Sequence, residues 1–223
     1  MTTTQITTPI PTLCGTQGES SSRLAAAAFL AAPLLVVGYG LIRLADGHHG
    51  PGAGWTSGHL LFELSLLCFA LVLREFWRGA RRGTARTVFA AVGGAGLLCA
   101  LTQIAVDLYV GAISPDRAAM NVHYTSIQSV PGVSPLVYGV GPTLFYVGLI
   151  ALAVLGSVRS RQRFGRQVPV LVTLGVVLAV LGLDLLPVTG LCFALALAPE
   201  GLRLLRASVR RPRSTTKRDY IAV

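Results

Sequence analysis

GHLLFELSLLCFALVLREFWR, residues 58–78, is a run dominated by leucine, phenylalanine, valine and alanine until basic residues close it at Arg74 and Arg78. The 19 residues from His59 to Trp77 would extend about 29 Å as an α-helix, close to the thickness of a hydrocarbon core. The run lacks the period-two alternation of a barrel strand, so a transmembrane helix is expected. Two polar residues near its start, His59 and Glu63, stand out because such groups are expensive in lipid.

The same reading repeats along the chain. Of 223 residues, 52% are hydrophobic and 13% charged, with a mean hydropathy of +0.64. That balance excludes a soluble enzyme and, for most of the chain, disorder. Six stretches reach spanning length: 24–45, 59–77, 87–111, 136–157, 168–186 and 188–206. The expected fold is all-α, a polytopic transmembrane bundle of six helices over residues 23–207. It lies between a flexible Thr/Ser/Pro/Gly-rich tail at 1–22 and a basic tail at 208–223. Gly93, Gly94 and Gly96 in the third stretch, and Gly139, Gly141 and Gly148 in the fourth, suit close helix crossings in lipid. Pro142 and Pro199 are expected to kink their helices, whereas Pro169 falls near a helix start. A tight hairpin at Leu186, Pro187 and Val188 joins the last two stretches. A long unstructured connection, 112–135, separates the third from the fourth and could cover whatever opens on that face.

Orientation follows from charge. Nineteen Lys and Arg against nine Asp and Glu give a net charge of +10. Seventeen of the basic residues fall on the side that holds both termini and two, Arg43 and Arg117, on the other. Both termini are therefore expected in the cytoplasm, with the basic loops against anionic lipid headgroups. A nucleic-acid module would need a soluble fold to present its basic face, so no nucleic-acid partner is expected. The first apolar stretch follows too long a polar leader for a signal peptide and reads as a retained span. Eighteen arginines against the single Lys217 point to a GC-rich bacterial genome, hence to a multi-pass protein of the bacterial inner membrane, the plasma membrane of the cell.

Three acids are not explained by cytoplasmic helix ends: Glu63, Asp107 and Asp184. With helices alternating in direction, Glu63 and Asp107 each lie four residues below the outer end of their stretch, roughly 6 Å deep, and Asp184 lies shallower. His59 with Glu63, and Gln103 with Asp107, are four apart and share helix faces. Arg43 ends the first stretch at similar height, with Tyr109 and Tyr138 nearby. If the helices turn these groups together, one arginine cannot neutralise three carboxylates, and at least one acid is expected to keep a proton that it can donate. Glu75 with Arg78 and Glu200 with Arg203 read as ordinary cytoplasmic surface pairs.

His48, His49, His59 and His123 all fall on the outer side, but the spacing falls short of His-Glu-x-x-His, and no metal or other cofactor is expected. Cys14, Cys68, Cys99 and Cys192 form no zinc motif or disulfide framework, and the last three read as small buried hydrophobes.

Residues 58–78 together with LTQIAVDLYVGAISPDRAAMNVHY (101–124) and GPTLFYVGLIAL (141–152) resemble short six-helix integral membrane proteins of actinobacteria over roughly residues 24–206. In size, helix packing and the glutamate of the second helix, the chain is also similar to integral-membrane terpene cyclases, in which buried acids protonate an alkene or epoxide. That resemblance implies Glu63 as the protonating acid. The family's second acid stands on its last helix, where this chain has Glu200 at the cytoplasmic end.

Three function classes compete. In a membrane enzyme, a lipid or isoprenoid, a hydrophobic small molecule entering from the bilayer, would meet Glu63 or Asp107 as general acid. His59 would tune or reload that acid, and Gln103, Arg43, Tyr109, Tyr138, Asp184 and His123 would contact the substrate. In a small proton-coupled transporter or export protein the same acids would bind and release protons. In a non-catalytic assembly partner they would stitch helices together. An enzyme predicts a closed apolar cavity beneath the acid layer. A carrier predicts a polar path onward to the cytoplasm, where the spans offer no acid, and no repeat relates the first three stretches to the last three. On the enzyme reading Glu63→Gln should abolish activity and leave insertion intact.

Overall fold

The computed structural model describes residues 16–47, 50–159 and 165–210. Among them all regular structure is helical: α1 (Thr16–Ala45), α2 (Ala53–Gly79), α3 (Thr84–Ile113), α4 (Arg117–Gln128), a π-helical turn (Ser134–Val140) running into α5 (Gly141–Arg159), α6 (Gln167–Leu181), a 3-10 turn (Leu183–Leu185) and α7 (Leu186–Arg210). Five segments are long and apolar enough to cross a bilayer: Ser22–Ala45, Ala53–Gly79, Thr84–Ile113, Ser134–Ser157 and Leu183–Ser208. Leu34, Leu60, Leu98, Val180 and Leu195 stand uncovered on their outer faces, an arrangement that suits hydrocarbon and would be a liability in water. The chain is an all-α bundle of multi-pass membrane type.

Six of the helices close a ring in the order α1, α2, α3, α5, α6, α7, each packed on the next and α7 returning to α1. α3 and α7 thereby stand on opposite walls. Ring packing leans on small residues, because in lipid no hydrophobic drive presses helices together and close van der Waals approach has to do so. Gly93 and Gly96 of α3 meet Gly148 and the backbone at Gly141, Leu144 and Phe145 of α5. At the α1–α7 seam Gly190 lies against Pro33 and Val37, and Gly40 against Pro187. Gly94 faces open space and Gly139 only ordinary contact, so four of the six glycines expected at crossings are there. Inside, Phe69 meets Phe145 and Phe193 edge-on at 5.7 and 5.5 Å. Lower down, Phe29 meets Phe76 at 5.9 Å. The buried Ser65 hydroxyl donates to the Ala32 carbonyl at 2.8 Å, joining α2 to α1 without an unpaired group.

Several boundaries differ from the sequence reading. The expected tail at 1–22 overlaps α1, which starts at Thr16. Residues 1–15 and 211–223, with the rest of both expected tails, lie outside the described residues. The fifth expected span, 168–186, is the 15-residue α6, shorter than the others, because Gly182 caps it at Leu181. The hairpin is therefore not at Leu186–Val188. The turn is at 182–185, and Pro187 sits in the first turn of α7, where a missing N–H leaves no bond unmade. The connection 112–135 is not structureless: Asp116 caps α4 by accepting from the Ala119 N–H at 2.8 Å. Pro142 is answered by the π-helical turn just before it, since proline removes the N–H that an α-helix would use there. Pro199 lies inside an unbroken α7. Glu200, read as a surface group, pairs with Arg203 at 3.0 Å but is itself 6% exposed, because Gly201 packs its turn onto Ala26, Phe29 and Leu30 of α1.

Candidate functional site

The ring encloses a cavity of about 320 Å³, at the lower end of the range for small-molecule sites. α2 supplies Trp55, His59, Phe62, Leu66 and Phe69, and α3 supplies Ala100, Gln103, Ile104 and Asp107. Both sets recur every three or four residues, one stripe of each helix. Tyr138 of the π turn and Pro142, Phe145 and Tyr146 of α5 form the next wall, and Leu186, Thr189 and Phe193 of α7 the wall facing α3. Polar groups gather at the end formed by Arg43, Trp55, His59, Asp107 and Tyr138, whereas Leu66, Phe69, Phe145 and Phe193 line the far end.

Asp107 is the centre of the polar end and is 8% exposed. One carboxylate oxygen, Oδ1, accepts from the Tyr124 hydroxyl at 2.8 Å. The other, Oδ2, faces His59 Nε2 at 3.8 Å. His59 Nδ1 lies 2.8 Å from the Trp55 carbonyl, and since a carbonyl only accepts, Nδ1 carries the hydrogen. A neutral His59 would thus turn a bare Nε2 lone pair toward Oδ2, and two acceptors facing each other in a low-dielectric interior repel. The pair is relieved by one proton, held either as carboxylic acid or as imidazolium. The separation is long for a direct hydrogen bond. Trp55 fixes both partners: its ring lies on His59 with centroids 4.1 Å apart, and its indole N–H donates to the Asp107 carbonyl at 3.0 Å. Tyr39 meets His59 edge-on at 5.5 Å.

Tyr124 comes from α4, whose Met120, His123, Tyr124 and Ile127 are its more covered residues, spaced as one inward stripe. Burial first, and then the adjacent Asp107, hold the Tyr124 phenol well above its usual pKa. It remains a donor at any physiological pH. Tyr124→Phe should lower turnover on the order of tenfold by removing a hydrogen bond to a carboxyl group; steady-state rates unchanged from wild type would show that the bond is incidental.

His59, Asp107, Gln103, Arg43 and Tyr138, all expected in the site, line this one cavity. Asp184 sits at its edge, 3.7 Å from Arg43, with its side chain 76% exposed; it belongs to the 3-10 turn rather than to a span. His123 is half-buried on α4 and outside the cavity lining. Tyr109 is 60% exposed. Two residues beyond Asp107 on a helix is about 160° around, so it faces the opposite way. Glu63 is the largest departure, because it does not line the cavity. It stands two residues, again about 160°, from Ser65, which bonds α1. Its Oε2 is buried with no hydrogen-bond partner. The lining stripe of α2 leaves His59 by steps of three and seven, to Phe62 and Leu66, and passes Glu63 by. The three acids therefore do not face one another in the cavity: of the three, Asp107 alone lines it.

The sequence reading missed Trp55 and Tyr124. The Asp116 cap and the spacing from Met120 to Ile127 were the available signals for Tyr124; Trp55 lay just ahead of the expected helix start. Among the described residues no group of three or more His, Cys, Asp or Glu is placed to hold a metal ion. Cys68, Cys99 and Cys192 are free thiols, the first two partly covered and the last buried; His48, His49 and Cys14 lie outside the described residues. No family model, curated protein or solved structure matches the chain.

Proposed function

We propose that the chain is a six-span enzyme of the bacterial plasma membrane, with both termini cytoplasmic, whose Asp107 protonates a small lipid or isoprenoid substrate in the ring cavity. The observation that carries this reading is the Asp107–His59 pair at one end of a cavity whose other end is lined by Phe69, Phe145 and Phe193. α6 completes the ring and is counted as the sixth span, its short length met by tilt and local thinning. Arg74 and Arg78 cluster at the opposite end of α2 from His59, so the positive-inside bias puts the polar pole on the outer side.

In this mechanism the protonated Asp107 gives Oδ2–H to a carbon–carbon double bond or an oxygen of the substrate. Tyr124 holds Oδ1 and so leaves Oδ2 as the exchanging oxygen. Positive charge developing on the substrate lies among Phe69, Phe145, Tyr146 and Phe193, whose ring faces attract cations. A proton lost from the product carbon skeleton returns to Asp107 directly or through His59, so the step is an isomerisation or cyclisation with no net proton consumed. Glu63, outside the cavity, has no part in it. A carrier reading has less support, since no further acid among the lining residues continues a path beyond the phenylalanines.

The test compares lipid extracts of host cells with and without the gene, and of proteoliposomes incubated with the extract of the deletion strain. One isoprenoid or lipid species should be converted by the protein alone. Unchanged extracts, together with solute-driven proton uptake by the same proteoliposomes, would replace the enzyme by a transporter.

A further inference from the structure

Thr189 lies on α7, across the ring from Asp107, and lines the cavity while only 1% exposed. Its hydroxyl is buried and has no hydrogen-bond partner. That sets it apart from the other helical threonines with recorded bonds: Thr102, Thr125, Thr143 and Thr173 each donate to the carbonyl four residues back, at 2.7 to 3.2 Å. Such back-bonding is the ordinary resting place of a threonine hydroxyl in a helix. A buried hydroxyl left unpaired costs roughly 1–3 kcal/mol, and valine would fill the same space without that cost. On the wall next to α3, the Tyr138 hydroxyl is likewise buried and unpartnered. The charges around the cavity say what the occupant is not. Among the described lining residues Arg43 is the one guanidinium, and its Nε, 3.7 Å from the exposed Asp184 carboxylate, makes no hydrogen bond. A diphosphate, with several negative charges, would find one arginine to meet it and would lie near the Asp107 carboxyl group.

We propose that Thr189 is a specificity-determining anchor, and that the cavity takes a neutral, short, apolar molecule bearing an alcohol or carbonyl oxygen held by the Thr189 hydroxyl on the wall opposite Asp107. This rests on the reading of the cavity as a substrate site and narrows its substrate class. The oxygen completes the hydrogen bond that the helix leaves unmade, and the apolar remainder lies along Leu66 and Phe69.

The test reads binding rather than turnover. The chain has two tryptophans, so a Trp77→Phe background leaves Trp55, on the cavity wall, as the fluorescent reporter. Nanodisc-embedded protein is titrated with geraniol, with the corresponding ten-carbon hydrocarbon lacking the hydroxyl, and with geranyl diphosphate, each corrected for partition into empty nanodiscs. Geraniol should bind on the order of tenfold more tightly than the hydrocarbon, about the worth of one buried hydrogen bond. Thr189→Val should erase that preference, Thr189→Ser should keep it, and geranyl diphosphate should not compete. A preference that survives Thr189→Val, or a diphosphate that binds more tightly than the alcohol, overturns the proposal, as does a Trp55 signal unmoved by every probe. Thr189-dependent binding by a wild-type protein that converts no lipid would reject the acid chemistry and leave the anchor standing.

Discussion

Asp107→Asn should lower turnover about a thousandfold, within the usual range for loss of a general acid, while Glu63→Gln should stay within about twofold of wild type, as expected for a residue off the reacting face. The pair of variants separates the structural assignment from the sequence expectation, which gave the first role to Glu63. Asparagine keeps the size of Asp107 and can still accept from Tyr124, so the ring should assemble. It cannot carry an exchangeable proton toward His59 Nε2. Conversion of the lipid identified in the deletion strain is the measurement. The reverse ranking, with Asp107→Asn active and Glu63→Gln dead, would move the chemistry out of the cavity altogether.

The other large effect concerns the scaffold. Gly96→Leu should prevent stable folding, at a cost above about 3 kcal/mol, because a Cβ at Gly96 would run into backbone atoms of Leu144, Phe145 and Gly141 rather than into a side chain that could rotate away. α3 and α5 would have to part, and that would open the wall carrying Asp107 and Phe145. Gly94→Ala is the matched control. It meets nothing within 4 Å and should leave stability equal or higher by up to about 1 kcal/mol through helix propensity. Thermal unfolding in detergent and the yield of monodisperse protein measure both. A Gly96→Leu protein that melts with the wild type would mean that α3 and α5 do not cross there.

How far the site was legible depends on what kind of spacing carried it. His59, Gln103 and Asp107 could be picked out because a polar residue in an apolar run is costly wherever its helix points. Which of them meet could not be read in the same way. Residues four apart differ by about 40° around a helix, so His59 can line a cavity whose edge leaves Glu63 on the flank. Tyr109, two residues and about 160° from Asp107, faces away from the cavity. Asp184 was misplaced for another reason: Gly182 ended its helix five residues sooner than apolar composition suggested, and the acid fell into a turn. Tyr124 was hidden in a segment whose helix is short and half polar, too weak in hydropathy to stand out although its Asp116 cap was visible.

Hydropathy and the cost of unpaired backbone in hydrocarbon suffice to make this chain a bundle of apolar helices, since no other arrangement of such stretches satisfies its N–H and C=O groups. Those terms are local, summed along each helix, and so were available from the residues alone. The rotation of each helix is set by contacts between distant segments, glycine against glycine at α3–α5 and Gly190 against Pro33 at α1–α7. Only those contacts decided that Asp107 meets His59 and Tyr124, and that Glu63 does not.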